Sequence, residues 1–153
     1  MAETAREPVM TGGCQCGAVR YALYAEPFNP HICHCRMCQK AFGSFFAPLA
    51  SVKNADFAWT AGAPGLFMSS TIAERGFCPA CGTPLSFRYV DTDRIGVALG
   101  SLDDPSRVVP TVQYGIESRL PYFTDLAGLP GKTTEEDMAA DVQAKLKSHQ
   151  QGR

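Results

Sequence analysis

Seven cysteines in three short clusters are the feature that most restricts how this chain can fold. They follow the spacings Cys-x-Cys, Cys-x-Cys-x-x-Cys and Cys-x-x-Cys along the 153 residues. Two cysteines separated by one residue on an extended strand lie roughly 6.5–7 Å apart at Cα, near or beyond the usual limit for a disulfide. Their side chains point to the same face, however, and a tetrahedral zinc ion draws its ligand sulfurs to about 3.8 Å from one another. The spacing therefore favours zinc over a disulfide framework.

Ligand counting indicates how the seven thiols divide between metal ions. A structural zinc takes four protein ligands, whereas a catalytic zinc keeps about three and leaves one position open. The three cysteines that lie within six residues predict a local site: Cys33, Cys35 and Cys38. The two remaining pairs then predict a four-thiolate site: Cys14, Cys16, Cys78 and Cys81. A division in which the first pair joins Cys35 and Cys38 stays open at this point.

Two histidines and two other kinds of centre give alternatives near the central cysteines. His31 lies on the strand face predicted for Cys33 and Cys35 and could add a fourth ligand, although a hydrogen-bonded histidine is the more common case. His34 faces the opposite side and is predicted to pack or to support a ligand. An iron-sulfur cluster would need a further cysteine spacing after Cys38, and a thioredoxin-like role would need a βαβ pattern.

The charge balance limits the classes of partner. The chain carries 14 Lys and Arg against 15 Asp and Glu, and no run of basic residues offers a surface for nucleic acid or anionic lipid. Its first ten residues, MAETAREPVM, contain no apolar stretch of secretory length, and nowhere do about 18 consecutive apolar residues suggest a membrane span. We therefore expect a cytoplasmic protein whose partners are small molecules or protein surfaces, with its oligomeric state open.

Frequent Gly and Pro residues predict a mainly β protein of short strands in one domain. Runs of β-branched and aromatic residues predict seven strands, at 18–24, 31–35, 45–52, 65–70, 85–90, 95–99 and 112–116. A short helix is predicted at Arg36–Phe42. A second helix is predicted at 134–149, where a capping-box-like start precedes an apolar stripe that would pack on the domain.

Four motifs carry a resemblance to a known family. They are GCQCG at 13–17, CHCRMCQK at 33–40, RGFCPACGT at 75–83 and GSLDDP at 100–105. Together they resemble the glutathione-dependent formaldehyde-activating enzyme family, and a similar domain occurs in centromere protein V. The resemblance implies a β-tent fold of packed antiparallel sheets around two zinc ions, with one or two short peripheral helices. It predicts a zinc-binding domain at 11–130, an N-terminal tail at 1–10 and a C-terminal helix and tail at 131–153.

The resemblance also implies separate roles for the two groups of cysteines. The four outer cysteines would hold a structural zinc, and Cys33, Cys35 and Cys38 would hold a second, open zinc and form the catalytic centre. Glutathione or a related thiol would bind there and add to formaldehyde or another small aldehyde. The product would be an S-hydroxymethyl adduct, and because the reverse step cleaves a carbon-sulfur bond, the formal class would be a carbon-sulfur lyase.

Contacts to the thiol substrate are predicted from charge and from one turn. Glutathione carries carboxylates that need cations, and a Gly-containing turn lets a ligand approach the backbone. The candidates are Arg36, Lys40, Gly43, Ser44, Arg75 and Arg119.

Two positions depart from the pattern of the family. The family often has a His and later a Trp where this chain has Gln113 and Tyr122, which affects the predicted substrate pocket and leaves the metal scaffold intact. The competing hypothesis is a noncatalytic zinc-binding module that carries a thiol or binds a protein partner. The two hypotheses differ in whether the second zinc keeps an exchangeable position.

Overall fold

Ten strands and three short helices make up most of the regular structure of residues 5–151, the part of the chain that a computed structural model describes. The strands are β1 (Met10–Gly13), β2 (Arg20–Leu23), β3 (Phe28–Cys33), β4 (Ala47–Lys53), β5 (Phe57–Ala61), β6 (Gly65–Met68), β7 (Ala73–Phe77), β8 (Pro84–Tyr89), β9 (Arg94–Ala98) and β10 (Val112–Tyr114). The helices are α1 (Arg36–Phe42), α2 (Thr134–Asp137) and α3 (Ala140–Lys145).

The strands pair into two sheets, which confirms the predicted mainly β fold. The smaller sheet has the order β1-β2-β5, and the larger has the order β10-β3-β4-β9-β8-β7-β6. Neighbouring strands of the described residues run antiparallel except at one edge, where β10 pairs parallel with β3 and Val112 lies opposite His31. The long chain segment between β3 and β10 allows this arrangement, because parallel neighbours need an extended connection.

The hydrophobic core lies between the two sheets. Tyr21 and Leu23 of β2 are fully buried, and they belong to one cluster with Val52 of β4 and Val97 of β9. Tyr21 and Leu23 are two residues apart, so both point to the same face of the small sheet. Burying each aliphatic side chain of this kind contributes about 1.5–3 kcal/mol. The same cluster includes two of the seven cysteines, Cys14 and Cys78.

Most of the predicted elements have a counterpart in the structure. All seven predicted strands overlap an observed strand, and the first predicted helix has the bounds of α1. Strands β1, β5 and β7 have no predicted counterpart. β1 (MTGG) and β7 (AERGF) contain glycine and no β-branched run, so pairing with their neighbours outweighs a low local propensity for strand.

The single helix predicted at 134–149 is wrong, because two short helices, α2 and α3, occupy this segment. α2 begins at Thr134 as predicted, but its capping residue is Thr133, one position before the predicted one, and Thr133 and Glu136 exchange side-chain to backbone hydrogen bonds in a capping box. Val142 and Leu146 are 47% and 61% exposed, so the apolar stripe does not pack on the core. Helices this short are marginal without such packing.

The predicted terminal tails reach beyond the described residues, since 1–4 and 152–153 lie outside them. Near one end, Met10 is buried and belongs to β1. Near the other, the backbone amide of Gln151 donates a hydrogen bond of 2.8 Å to the carbonyl of Gln15. Between these points no helix combines the length and apolar character that crossing a bilayer requires.

A charged clamp ties the small sheet to the loop after β9. Arg20 donates two hydrogen bonds to the carboxylate of Asp103, at 2.8 and 2.5 Å, and the hydroxyl of Thr11 donates a third at 2.5 Å. The backbone amide of Asp103 also donates to the Thr11 carbonyl at 3.0 Å. The guanidinium of Arg20 and the hydroxyl of Thr11 hold the pKa of Asp103 below its ordinary value.

This lowered pKa predicts a loss of stability in acid. Stabilisation by the Asp103 carboxylate is complete above its ordinary pKa and disappears as the pH falls through the lower pKa of the folded state. We expect Asp103→Asn to lower the free energy of unfolding by about 1–2 kcal/mol at pH 7 and by much less at pH 3. Urea denaturation of both proteins across pH 3–7 measures this, and a difference that does not change with pH would contradict the role given to the carboxylate.

Candidate metal centres and the adjoining cavity

Four cysteines from distant parts of the chain meet at one end of the core. They are Cys14, Cys16, Cys78 and Cys81, and their sulfur atoms all lie within 4.8 Å of one another. The turn between β1 and β2 carries the first two, and the turn after β7 carries the other two. The Sγ atom of Cys16 lies 3.6 Å from that of Cys14 and 3.8 Å from that of Cys78. The cluster therefore joins the two sheets.

The turn after β7 has the geometry of a zinc knuckle. The backbone amide of Gly82 donates to the Cys78 carbonyl at 2.8 Å, and Gly82 has a φ of +79°, a left-handed conformation that glycine adopts without a steric penalty. The Sγ atom of Cys81 lies 3.1 Å from the hydroxyl of Thr83. This hydrogen bond lowers the pKa of Cys81 to about 6. Because the thiolate is the form that binds metal, this lowered pKa favours metal binding by Cys81.

The other three cysteines meet where β3 leads into α1. Cys33 is the last residue of β3, Cys35 is the N-cap of α1 and Cys38 lies in the helix, with all three sulfurs within 4.8 Å of one another. The Sγ atom of Cys35 accepts a hydrogen bond of 3.3 Å from the amide of Cys38. A hydrogen bond between Cys33 and Cys38 lowers the pKa of Cys33 and, with burial, raises the pKa of Cys38. The strand predicted to run through Cys35 thus ends two residues earlier, at a helix N-terminus.

Both clusters fit a metal ion that prefers sulfur. Zinc bound tetrahedrally at about 2.3 Å from each sulfur places its ligand sulfurs about 3.8 Å apart. The distances of 3.6 and 3.8 Å in the four-cysteine cluster agree with this value. Across residues 5–151, no further His, Cys, Asp or Glu joins either cluster. One cluster thus offers a complete set of four ligands and the other offers three, which is the division that the spacing predicts.

A cavity of about 470 Å³ adjoins the three-cysteine cluster. Cys33, Cys35 and Cys38 line it, and its floor is the face of the larger sheet formed by β3, β4, β9, β8 and β7. Three arginine residues are also in its lining: Arg75, Arg88 and Arg94. In the described part of the chain, no Asp or Glu does so. Its volume falls in the range of small-molecule sites, about 300–1,000 Å³, and its charge favours anionic ligands.

Arg75 connects this cavity to the thiols. The residue is 7% exposed, and its Nη2 atom donates to the sulfur of Cys38 at 3.4 Å. Its Nε atom donates to the hydroxyl of Ser69 at 2.8 Å, and its guanidinium carbon lies 4.9 Å from the ring centroid of Phe87. Among the described residues, its Nη1 atom has no hydrogen-bond partner. Arg75 therefore holds a positive charge against the cluster, where it would offset part of the negative charge if the three cysteines bound a metal ion as thiolates.

Of the predicted substrate contacts, Arg75 alone lines the cavity. The structure places the others outside its lining: Arg36, Lys40, Gly43, Ser44 and Arg119. The guanidinium of Arg36 donates to Gln39 on α1 itself. Successive helical residues point in directions about 100° apart, so α1 turns Met37 and Cys38 to the cavity and its basic residues away from it.

Sequence reasoning missed most of the residues that line the cavity. Among them are Ser51 of β4, Tyr89 of β8, and Arg94 and Gly96 of β9. They come from separate strands and form no motif together. Each could be found only by knowing which strands are neighbours and in what register.

The two histidines and the two departures from the family pattern have separate surroundings. His31 lines the cavity, but its Nδ1 atom lies 2.7 Å from the Asn29 carbonyl oxygen, and the residue belongs to neither cysteine cluster. His34 is fully buried, and its Nε2 atom lies 2.8 Å from Oε1 of Gln113. Gln113 thus links β10 to the segment that carries the central cysteines. Tyr122 is 47% exposed and does not line the cavity.

Two cysteine centres on a two-sheet scaffold, one with four ligands and one beside a cavity, define a class of β proteins that could bind two metal ions. The model of the family called glutathione-dependent formaldehyde-activating enzyme, GFA, matches residues 9–118, a stretch that contains all seven cysteines. The chain therefore belongs to the GFA family.

A curated protein and a solved structure are among the proteins similar to this chain. An uncharacterized lyase of Schizosaccharomyces pombe is 31% identical over 84 residues, which cover 55% of this chain and 61% of that protein. The match thus spans about three-fifths of the length of this curated relative. A crystal structure of a Rhodobacter sphaeroides protein superposes with a TM-score of 0.55 at 25% identity, covering 68% of this chain and 99% of that one.

Proposed function

We propose that this chain is a zinc-dependent enzyme that joins glutathione, or a related thiol, to formaldehyde or another small aldehyde. The observation that carries this proposal is that three cysteines, with no fourth ligand among residues 5–151, line a cavity of about 470 Å³. Three protein ligands leave one coordination position for a molecule from solution. Membership of the GFA family and the lyase name of the S. pombe relative support the same class of activity.

The two clusters have different roles in this proposal. The four-cysteine cluster holds a structural zinc that joins the two sheets. The three-cysteine cluster holds a second zinc, which supplies, when bound, a position that favours the deprotonated form of a thiol. The cavity lining contributes cations and no described carboxylate, so it favours anionic thiols such as glutathione.

The reaction forms one carbon-sulfur bond. The sulfur of the thiol attacks the carbonyl carbon of the aldehyde, and the electron pair of the C=O double bond moves to oxygen. The proton lost from the thiol ends on that oxygen, which gives an S-hydroxymethyl adduct. The reverse reaction breaks the same bond and releases the aldehyde, so the formal class is a carbon-sulfur lyase.

Arg75 supplies positive charge at the reacting end of the cavity. Its Nη2 atom lies 3.4 Å from the Cys38 sulfur, and its place between Ser69 and Phe87 fixes the guanidinium. A fixed cation at this position stabilises the negative charge that develops on the carbonyl oxygen during attack. The neighbouring apolar ring lowers the local dielectric and strengthens this effect.

A rate comparison tests the proposal. Formaldehyde and thiols combine without an enzyme, so the expected result is that the zinc-loaded protein forms the adduct faster than the protein-free mixture. Cys35→Ala removes one ligand of the open site and should return the rate to the protein-free value. It should also reduce the bound zinc from two ions per chain to one. Rapid mixing with detection of free thiol, together with zinc analysis of each protein, measures both effects.

Lys53→Met provides the control for this comparison. Lys53 is exposed, lies at the end of β4 and does not line the cavity, so the variant should keep the wild-type rate and zinc content. Equal rates for the wild type and Cys35→Ala would contradict catalysis. They would favour the competing hypothesis, a noncatalytic zinc-binding module.

A further inference from the structure

The cavity extends beyond the thiolate cluster across the larger sheet. Ser51 of β4 and Phe87 of β8 are both paired with Gly96 of β9, and all three line the cavity. Residues paired directly across a sheet point to the same face. These three positions therefore form one row on the floor of the cavity, with Gly96 between the two side chains.

Gly96 leaves this row open in the middle. A Cβ atom added at Gly96 would lie 3.2 Å from the Phe87 carbonyl oxygen, 3.8 Å from the Ala50 carbonyl oxygen and 3.9 Å from a methyl group of Leu49. The contact with the Phe87 carbonyl oxygen is tight and the contact with Leu49 is an ordinary van der Waals distance, so a side chain at this position would occupy space that the glycine leaves open. Glycine inside a strand weakens it and often marks a place where a ligand approaches the backbone closely.

Arg94 brings an unpaired positive charge to the same part of the cavity. Of the three lining arginines, Arg88 pairs with Glu74 at 2.9 Å, and Arg75 is engaged by Cys38 and Ser69. Arg94 takes part in none of the ion pairs or side-chain hydrogen bonds found among the described residues. It lies two residues before Gly96 on β9. A charged group with no protein partner at a cavity wall is suited to bind an anion.

We propose that Gly96 and Arg94 form a specificity subsite that receives a carboxylate-bearing part of the thiol, while the sulfur lies at the three-cysteine cluster. This inference rests on the proposed function. Gly96 sets the depth of the subsite and Arg94 sets its preference for an anion. The subsite makes the protein select anionic thiols over small uncharged ones, which would reach the thiolate cluster without using it.

Binding of two thiols to the zinc-loaded full chain tests the subsite. Glutathione uses both the thiolate cluster and the subsite, whereas 2-mercaptoethanol uses the cluster alone. We expect Arg94→Met to weaken glutathione binding about fivefold in isothermal titration calorimetry, because a partly exposed ion pair is lost. Gly96→Val should weaken it by about tenfold or more, because the valine side chain fills the floor. Both variants should bind 2-mercaptoethanol as the wild type does.

Two further variants keep the test interpretable. Gly96→Ala adds a single methyl group and should give a smaller loss in the same direction, even if the valine variant folds poorly. Lys53→Met removes the positive charge of Lys53, which is paired with Arg94 across the sheet. Lys53 does not line the cavity. It should leave glutathione binding within twofold of the wild type, and a loss equal to that of Arg94→Met would overturn a specific role for Arg94.

The outcomes separate this inference from the proposed function. Unchanged glutathione binding in Arg94→Met and Gly96→Ala, with adduct formation intact, would overturn the subsite and leave the proposed function standing. Equal losses for both thiols would also overturn it, since the changes would then act at the thiolate cluster. Failure of glutathione to bind the zinc-loaded wild type would overturn the proposed function and the subsite together.

Discussion

Replacing Cys78 by Ala should abolish stable folding, because it removes a buried member of the cysteine cluster that joins the two sheets. Cys16 and Cys78 are 62 residues apart in the sequence, and their sulfur atoms lie 3.8 Å from each other in this cluster. Zinc binding contributes about 10–16 kcal/mol to the folding of small zinc domains, which is as large as the net stability of about 5–15 kcal/mol for a typical protein. Circular dichroism during thermal and urea unfolding should show loss of the cooperative transition.

Cys35→Ala is the matched control for this prediction. It makes the same chemical change in the other cluster, whose buried neighbours are few: Cys38, Ala47 and Leu49. We expect it to unfold cooperatively and to keep one zinc. Removal of zinc from the wild type by a chelator should reproduce the effect of Cys78→Ala. Equal stability of Cys78→Ala and the wild type would contradict a structural role for the four-cysteine cluster.

Gly12→Ala should destabilise the fold more than any other glycine-to-alanine substitution in the small sheet. A Cβ atom at Gly12 would lie 2.4 Å from the ring and hydroxyl of Tyr21 and 2.6 Å from the backbone oxygen of Ser101. Tyr21 cannot move aside easily, because it is fully buried and its hydroxyl lies 2.8 Å from the Ser101 hydroxyl. We expect a loss of about 3 kcal/mol or more in the free energy of unfolding, at the upper end for an overpacked core.

The matched substitution is Gly100→Ala, since an added Cβ atom there meets nothing within 4 Å. It should change the free energy of unfolding by less than about 0.5 kcal/mol, as surface substitutions usually do. Differential scanning calorimetry of both variants gives the comparison. A melting temperature for Gly12→Ala equal to that of Gly100→Ala would contradict the packing described around Tyr21.

The two cysteine clusters could be predicted from the sequence, because their members come in local pairs and triplets. Cys33, Cys35 and Cys38 are held together by a strand end and one helical turn, so their spacing already fixes their proximity. The knuckle at Cys78 and Cys81 is equally local. Its pairing with the first two cysteines follows from the count of four ligands that zinc prefers only when the three central cysteines form a local site of their own.

The cavity could not be predicted in the same way, because it depends on strand order and register. Gly96 and Arg94 lie beside Ser51 and Lys53 only because β9 pairs with β4 in one particular register. A shift of one residue would turn each of them to the opposite face. Arg36 and Lys40 are predicted contacts because they are cations close to Cys35 and Cys38 in sequence, yet neither residue lines the cavity, since the turn of α1 directs them elsewhere.

The most direct test of the account is a titration of glutathione into cobalt-substituted protein. Cobalt takes the same tetrahedral thiolate sites as zinc, and its visible absorption reports the ligands of each ion. The account predicts two cobalt ions per chain, with glutathione changing the absorption of one of them and with no such change in Cys35→Ala, which holds a single ion. A wild-type protein that binds two ions without any response to glutathione, or that responds equally in Cys35→Ala, would contradict the division of the seven cysteines into a closed and an open centre.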